Sequence, residues 1–211
     1  MLTCHRKSLD RFLGRNQFRM LGRVLDIGGK KVNRRGEFAP PYEKVSKWEF
    51  VNLDPDTNPD YHTSAEALPL CNNTIDTFIM CEVLEHLKDP EQALLEARRV
   101  LKPGGYGILT VPFLYAIHND PVDYQRWSDM KLTTVLNEMG LGVVELCYFG
   151  GEFEVIHDLL FMSLFYSQKD RPYFSKLGRF VLQVLRKIYG ESSDFNKFIH
   201  TGYGIVVRKE L

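Results

Sequence analysis

Apolar residues along the chain fall into short runs, and segments of helical spacing lie between several of them. The runs are Val24–Ile27, Glu49–Leu53, a short one at Tyr61–Thr63, Thr77–Cys81, Gly107–Val111, Val143–Tyr148 and Tyr203–Val207. Short runs bounded by Gly, Asn, Asp or Pro predict strands, most of them buried on both faces. A helix is marked after Asp89: that residue is an N-cap, Pro90 fits the first turn and Gln92 completes a capping box. Ala93, Leu94, Ala97, Val100 and Leu101 then share one face, and Gly104-Gly105 ends the element. A second helix starts near Ser128, carries Leu132, Val135, Leu136 and Met139 inward and stops at Gly140. Residues 1–21 set Leu9, Phe12 and Leu13 against Arg6, Arg11, Arg15 and Arg19, which predicts an amphipathic helix over one sheet edge. Gly36, Pro40 and Pro41 forbid a long helix in 30–47, so that stretch is expected to be loop. Strands alternating with helices predict an α/β fold with a doubly wound, mostly parallel, Rossmann-like sheet whose ligand sits at the strands' carboxyl ends.

Composition narrows the picture. The 211 residues carry 27 basic and 27 acidic side chains and 44% apolar residues, which suits one globular domain and disfavours a general nucleic-acid binder. Cys4, Cys71, Cys81 and Cys147 are scattered without metal-ligand spacing, so free thiols in a reducing compartment are expected. No signal-peptide pattern opens the sequence, and no run reaches the roughly 20 apolar residues that span a bilayer. A cytoplasmic protein is expected.

The chemistry gathers at the strand ends. RVLDIGGKKVNRRG, residues 23–36, ends a strand in Asp26, Gly28 and Gly29, where a backbone without Cβ atoms lets a ligand approach. A dinucleotide site would want GxGxxG opening a helix, and here the third glycine is missing. Asp54, closing the second strand before Pro55, is placed to accept both ribose hydroxyls of an adenosine. A turn-capping aspartate is the bland account of the same residue. Lys30, Lys31, Arg34 and Arg35 follow the glycines. They are candidates for anions on the cofactor or substrate, while a solvated basic loop is the simpler account for at least two of them.

The blocks VLDIGG, NLDP, SAEALPL, IDTFIMCEVLEHLKDP and ARRVLKPGGYGILTVP, in that order over roughly residues 21–150, resemble the class I S-adenosylmethionine-dependent methyltransferases, in particular the methyltransferase type 11 group. The resemblance implies a seven-stranded sheet with an antiparallel last strand, and S-adenosylmethionine as cofactor. Asp26, Gly28 and Gly29, with Lys30 in place of a usual glycine, would line the methionine part. Asp54 and Pro55 would hold the ribose, and Ser64, Ala65 and Glu66 would meet the adenine edge. Cys81 and Glu82 would floor the sulfonium. A departure accompanies Lys30: the helix that normally follows the first motif looks absent.

A sulfonium methyl is already activated, so transfer needs alignment and, for a hydroxyl or amine, a base. In Glu82-Val83-Leu84-Glu85-His86, helical spacing would put both acids on one face with the histidine nearby. Ubiquinone-pathway O-methyltransferases look similar here and use such groups around a divalent metal. A network of side-chain hydrogen bonds at a helix start is the preferred account, and no metal is expected. Val111–Ser128 crowds His118, Asp120, Asp123, Tyr124 and Arg126 into one loop, and H-x-x-P-x-D-Y-x-R resembles a subset of these enzymes, some acting on surface glycans or small metabolites. His118, Asp123, Tyr124 and Arg126 are therefore the catalytic candidates: His118 can accept a proton near neutral pH, and Arg126 can hold an anion. The competing account is a structural Asp123–Arg126 pair in a loop folded on Tyr124 and Trp127.

About fifty residues separate the last two strands. Leu159–Tyr166 is apolar nearly all round; then Leu177, Phe180, Val181, Val184, Leu185 and Ile188 form a stripe flanked by Lys176, Arg179, Arg186 and Lys187. Packing on the domain or on a second subunit is the favoured use. Peripheral membrane contact through 176–188, with a lipid-linked acceptor, is the alternative. The organisation expected is a single domain over 1–211: an N-terminal helix at 1–21, a cofactor-binding core at 22–150, a helical insert at 151–200 and a last strand at 201–211. The function expected is S-adenosylmethionine-dependent methylation, at oxygen, of a small, sugar or glycan-type acceptor, with a non-catalytic cofactor-binding protein as the competing class.

Overall fold

The computed structural model describes residues 2–32, 36–118, 122–166, 178, 184, 187 and 197–211. The stripe expected over 177–188 therefore lies almost wholly outside the described residues, as do Arg34, Arg35 and Asp120. Seven strands form one sheet: β1 (Arg23–Ile27), β2 (Lys47–Asn52), β3 (Tyr61–His62), β4 (Ile75–Cys81), β5 (Leu101–Pro112), β6 (Leu141–Phe149) and β7 (Gly202–Lys209). Their order is β3-β2-β1-β4-β5-β7-β6, parallel from β3 to β5, with β7 inserted antiparallel between β5 and β6. The expected mostly parallel, doubly wound sheet with an antiparallel last strand is thus present.

Among the described residues the helices with full bounds are α1 (Cys4–Arg15), α2 (Pro90–Val100), α3 (Asp129–Glu138) and α4 (Glu152–Tyr166), the last packed against α1. The predicted Asp89 cap forms, its carboxylate accepting from Gln92 N–H at 3.0 Å, but the expected capping box does not close, because Asp89 N–H donates to Glu66. Ser128 caps the helix expected to start near it, its hydroxyl accepting from Lys131 N–H at 3.2 Å. Ala93, Leu94, Ala97, Leu132 and Leu136 are fully buried in one core layer with Leu25, Phe78, Leu109 and Ile205. The opposite layer joins Leu9, Phe12 and Leu13 of α1 to Ile79, Ile108, Phe149 and Val206.

Two expectations need correcting. The leading helix covers a face of the sheet, not an edge: Phe12 sits where a Cβ on Gly204 would meet its ring at 2.5 Å, and its ring centroid lies 5.7 Å from that of Phe149. Among the described residues of 30–46 the only regular structure is a short 3-10 turn at Tyr42–Lys44, and α1 supplies apolar cover on this face. The second correction concerns Leu101-Lys102-Pro103-Gly104-Gly105, which does not end a helix. α2 stops at Val100, and the strand runs on from Leu101 through an irregular register, pairing Leu101 with Ile75 and Tyr106 with Thr77. Gly104 takes φ +76° at this kink, and a Cβ on Gly105 would stand 2.8 Å from the Asp76 carbonyl oxygen. The double glycine serves a bulge at the strand's start.

Candidate active site

The parallel strands β1, β2, β4 and β5 all end on one side of the sheet. At the tip of β1 the chain turns at Gly28, φ +78°, whose N–H crosses to the Val51 carbonyl at 2.8 Å. A side chain here would be strained, and its Cβ would meet Val83 Cγ2 at 2.4 Å. A Cβ on Gly29 would strike the Asp26 carboxylate at 2.3–2.6 Å. Gly28 is therefore required by the turn itself, while a side chain at Gly29 would displace the Asp26 carboxylate. Asn52 fixes that turn from the neighbouring strand: its Nδ2 donates to the Gly28 and Gly29 carbonyls at 3.1 and 3.0 Å, while its Oδ1 accepts from Asp54 N–H at 2.9 Å. One amide thus ties the glycine turn to the acidic tip of β2. Sequence reasoning missed Asn52, whose signal was its place between an apolar run and the aspartate.

Asp54 is exposed at that tip, and its Oδ1 caps the short turn Pro55–Thr57 by accepting from Asp56 N–H at 3.0 Å. Capping and ligand binding are compatible, because a carboxylate has further lone pairs. Ser64 and Glu66 lie beyond β3, with the Ser64 hydroxyl donating to Glu66 Oε2 at 2.6 Å and Asp89 N–H donating to Oε1 at 3.1 Å. Glu66 thereby joins the 64–66 segment to the start of α2, and Ala65 between them is buried. Of the basic loop residues, Lys31 pairs with Asp60 at 2.6 Å and Lys30 is half-buried beside the glycines.

At the tip of β4, burial and the nearby Asp26 charge push the Cys81 thiol far above its ordinary range. Glu82 has φ +54°, a conformation uncommon for a residue with a Cβ. It is held there on three sides. Its N–H donates to the Thr110 carbonyl at 3.0 Å, its Oε1 accepts from the Thr110 hydroxyl at 2.9 Å, and its Oε2 lies 2.9 Å from His5 Nε2. Burial alone would raise the Glu82 carboxyl, but the charges of His5 and Arg6 and the hydrogen bonds outweigh it and hold the group below its ordinary value. His5 comes from α1, and its other ring nitrogen lies 3.0 Å from Thr201 Oγ1, just before β7. The N-terminal helix thus reaches the strand tips, a role the sequence did not signal.

The turned Glu82 corrects the expected helical EVLEH block, because only Leu84–His86 forms a 3-10 turn and the two acids do not share a helix face. Glu85 instead points inward, with its side chain 2% exposed and neither carboxylate oxygen hydrogen-bonded. Burial, reinforced by the Glu82 charge, raises its carboxyl well above the usual range. His86 Nε2 stands 3.6 Å from Glu85 Oε1, and His118 Nε2 stands 4.0 Å from the same oxygen. The two imidazoles meet edge-to-face at 5.0 Å between centroids. Burial, followed by the neighbouring His86, lowers the His118 pKa and keeps its ring neutral at neutral pH.

The loop after β5 brings His118 to this point. Asp123 and Arg126 form a two-pronged ion pair, and Asp123 Oδ2 also accepts from His118 N–H at 3.2 Å. The structural pairing anticipated for these two residues is therefore present, and it positions His118. Tyr124 is 48% exposed, and its N–H donates to the Glu85 carbonyl at 2.8 Å. Gln125 clamps the EVLEH turn through Nε2 to the Leu84 and Leu87 carbonyls at 3.3 and 2.9 Å.

Comparison with known proteins fits this arrangement. A family model described as a methyltransferase domain matches residues 38–109. The ubiquinone/menaquinone biosynthesis C-methyltransferase UbiE of Acidiphilium cryptum is 38% identical over 72 residues, covering 34% of this chain and 28% of that protein. The crystal structure of a SAM-dependent methyltransferase from Archaeoglobus fulgidus superposes with a TM-score of 0.61 at 17% identity, over 97% of this chain and 94% of the other. The chain carries the class I methyltransferase fold. It spans about a quarter of the length of the curated relatives it matches. The [4+2]-cyclase SpnF superposes at the same TM-score, 0.61, with 18% identity over 96% of this chain and 82% of its own. The methyltransferase fold alone therefore does not fix the reaction.

Within this fold the sequence-predicted residues sort into two groups. Asp26, Gly28, Gly29, Lys30, Asp54 and Pro55 lie around the adjoining tips of β1 and β2, while Ser64, Ala65 and Glu66 follow β3 and Cys81 and Glu82 end β4. His118, Asp123, Tyr124 and Arg126 lie past β5 and fold back on the Glu85–His86 turn. The donors and acceptors of the first group suit S-adenosylmethionine: an exposed carboxylate for ribose hydroxyls and a Cβ-free turn for close backbone approach.

Proposed function

We propose that this chain transfers the methyl group of S-adenosylmethionine to a hydroxyl of a small or glycan-type acceptor. The observation that supports this reading most is the pairing at the sheet's tips: an acid at the end of β2, tied through Asn52 to the glycine turn of β1. Asp54 takes the ribose hydroxyls, Gly28 and Gly29 admit the methionine part, and Ser64–Glu66 border the adenine. Cys81 and Glu82 form the floor near the sulfonium.

The acceptor lies against the His118–Arg126 loop. Its oxygen lone pair forms the new C–O bond as the C–S bond breaks, and the sulfur keeps that electron pair. The products are S-adenosylhomocysteine and the methyl ether, and the hydroxyl proton leaves through the Glu85, His86 and His118 side to solvent. His118→Ala is expected to lower kcat by about 100-fold or more while leaving S-adenosylhomocysteine affinity within about twofold.

The test is release of S-adenosylhomocysteine from labelled donor against a panel of sugars and small hydroxylated acceptors. Acceptor-dependent release with the label on oxygen supports the reading. Label on carbon, the chemistry in the name of the Acidiphilium relative, overturns the choice of atom. Tight S-adenosylhomocysteine binding with no turnover favours the non-catalytic alternative, which Lys30 motivates.

A further inference from the structure

Glu85 is the least satisfied ionisable group among the described residues. Its carboxylate is buried and neither oxygen has a hydrogen-bond partner, although such groups are almost always paired. Protonation alone does not account for it. A carboxylic acid still needs an acceptor for its O–H, and the nearest candidate, His86 Nε2, is 3.6 Å away, beyond a hydrogen bond. What surrounds Glu85 is two more lone-pair donors. One carboxylate oxygen of Glu85, one ring nitrogen of His86 and one of His118 all lie within 4.8 Å of one another.

The outer contacts aim those nitrogens inward. His86 Nδ1 lies 2.6 Å from the Val122 carbonyl, which can only accept, so Nδ1 carries the proton and Nε2 presents its lone pair toward Glu85. His118 has its Nδ1 side against the Asp123 carboxylate, at 3.4 Å, and its Nε2 faces Glu85. The carbonyl behind His86 is the usual support of a metal-bound histidine, whereas His118 Nδ1 makes no hydrogen bond and has only the Asp123 charge behind it. The spacing is close to that of an ion site. Tetrahedral bonds of about 2.0–2.2 Å set adjacent ligand atoms roughly 3.3–3.6 Å apart. The two edges to Glu85 are 3.6 and 4.0 Å and no edge of the trio exceeds 4.8 Å, so closure draws the side chains together by up to about 1 Å.

We propose that Glu85, His86 and His118 bind a divalent transition-metal ion of the zinc type. Two imidazoles and one carboxylate leave an open position, and they disfavour magnesium or calcium, which seek oxygen ligands. Glu82 is not a ligand, because His5 and Thr110 engage its two oxygens. The ion's role, though not its binding, rests on the methyl-transfer reading. Held by these three side chains, such an ion would supply a Lewis acid with an open position, and that would lower the pKa of an acceptor hydroxyl placed there.

The test is to strip the full-length protein with chelator, then titrate it with Zn²⁺ by calorimetry and with Co²⁺ by visible absorption. The expected result is one equivalent of either ion, with the intense visible bands of low-coordinate cobalt. His118→Ala and Glu85→Gln are expected to weaken zinc binding by at least about tenfold, and Glu82→Gln to leave it within threefold. S-adenosylhomocysteine binding, measured on His118→Ala and Glu85→Gln, reports that the fold and cofactor site survive, and thermal melting reports the fold of Glu82→Gln. No zinc or cobalt site in protein that binds S-adenosylhomocysteine, or undiminished zinc affinity in both ligand variants, overturns the proposal. Stoichiometric zinc that depends on both ligands, in protein that ignores S-adenosylhomocysteine, sustains the metal site and removes the cofactor reading instead.

Discussion

At the scale of single residues, the site depends on a few positions where geometry leaves no alternative. Gly28→Ala would force a side chain into φ +78° and against Val83 Cγ2. We expect a loss of at least about 2 kcal/mol in urea unfolding and no measurable cofactor binding. An unchanged denaturation midpoint would contradict this. Asn52→Ala removes the amide that bridges β2 to two carbonyls of the glycine turn. That substitution should cost about 1–3 kcal/mol and weaken S-adenosylhomocysteine binding about tenfold, checked by melting and calorimetry on the same preparation. Gly28 and Asp54 were legible because their types carry a mechanism: freedom at positive φ, or charge at a strand's end. Asn52 was not, because an amide's importance depends on which carbonyls the fold brings beside it. Glu85 was legible as an acid but not as a buried one, since the positive φ of Glu82 breaks the helix that the spacing suggested.

At the scale of elements, α1 is joined to the site by contacts between distant parts of the chain. Asp158 of α4 accepts from both Cys4 N–H and His5 N–H at 2.8 Å, satisfying two of the orphan donors at the helix's start. His5 then reaches Glu82 and Thr201. Asp158→Ala should destabilise the protein by roughly 2 kcal/mol and lower cofactor affinity through the loosened His5–Glu82 contact. Asp158→Asn, which keeps one acceptor oxygen, should recover part of the loss in thermal melts; equal losses in both variants would contradict the capping role. Helical spacing predicted α1 and its apolar face but not where it docks, because amphipathicity fixes a face and not its partner. The strand cores were read well for the opposite reason: burial on both faces leaves a continuous apolar run. The bulged start of β5 escaped notice because Gly-Gly after a helix reads equally as a stop.

At the scale of the whole molecule, the sheet's outer parallel edge is held by a buried charge. Glu49 of β2 is 1% exposed in its side chain and accepts from Arg23 Nε at 2.5 Å, Lys47 Nζ at 2.6 Å and the Tyr61 hydroxyl at 2.8 Å, linking β1, β2 and β3. Burial opposes ionisation, but these donors win and hold its carboxyl at about 2, below the ordinary 4.5. Since the folded value is depressed, the stabilisation is complete above about pH 4.5 and is lost as pH falls toward 2. The contribution is at most about 3 kcal/mol. Urea unfolding between pH 7 and pH 3 should show a pH-dependent loss that Glu49→Gln makes shallower, the remainder coming from other depressed carboxyls such as Glu82, and parallel profiles would contradict it. The mostly parallel sheet with its antiparallel last strand followed from the alternation of elements together with the family resemblance. The acceptor did not, because a fold shared with a cyclase does not by itself choose a reaction.

The most direct test is a calorimetric titration of S-adenosylhomocysteine into the wild-type chain and into Asp54→Ala. Saturable binding by the wild type, weakened about 10–100-fold in the variant, is the predicted result. Silence from the wild type at millimolar ligand, or equal affinity in the two proteins, would contradict the account.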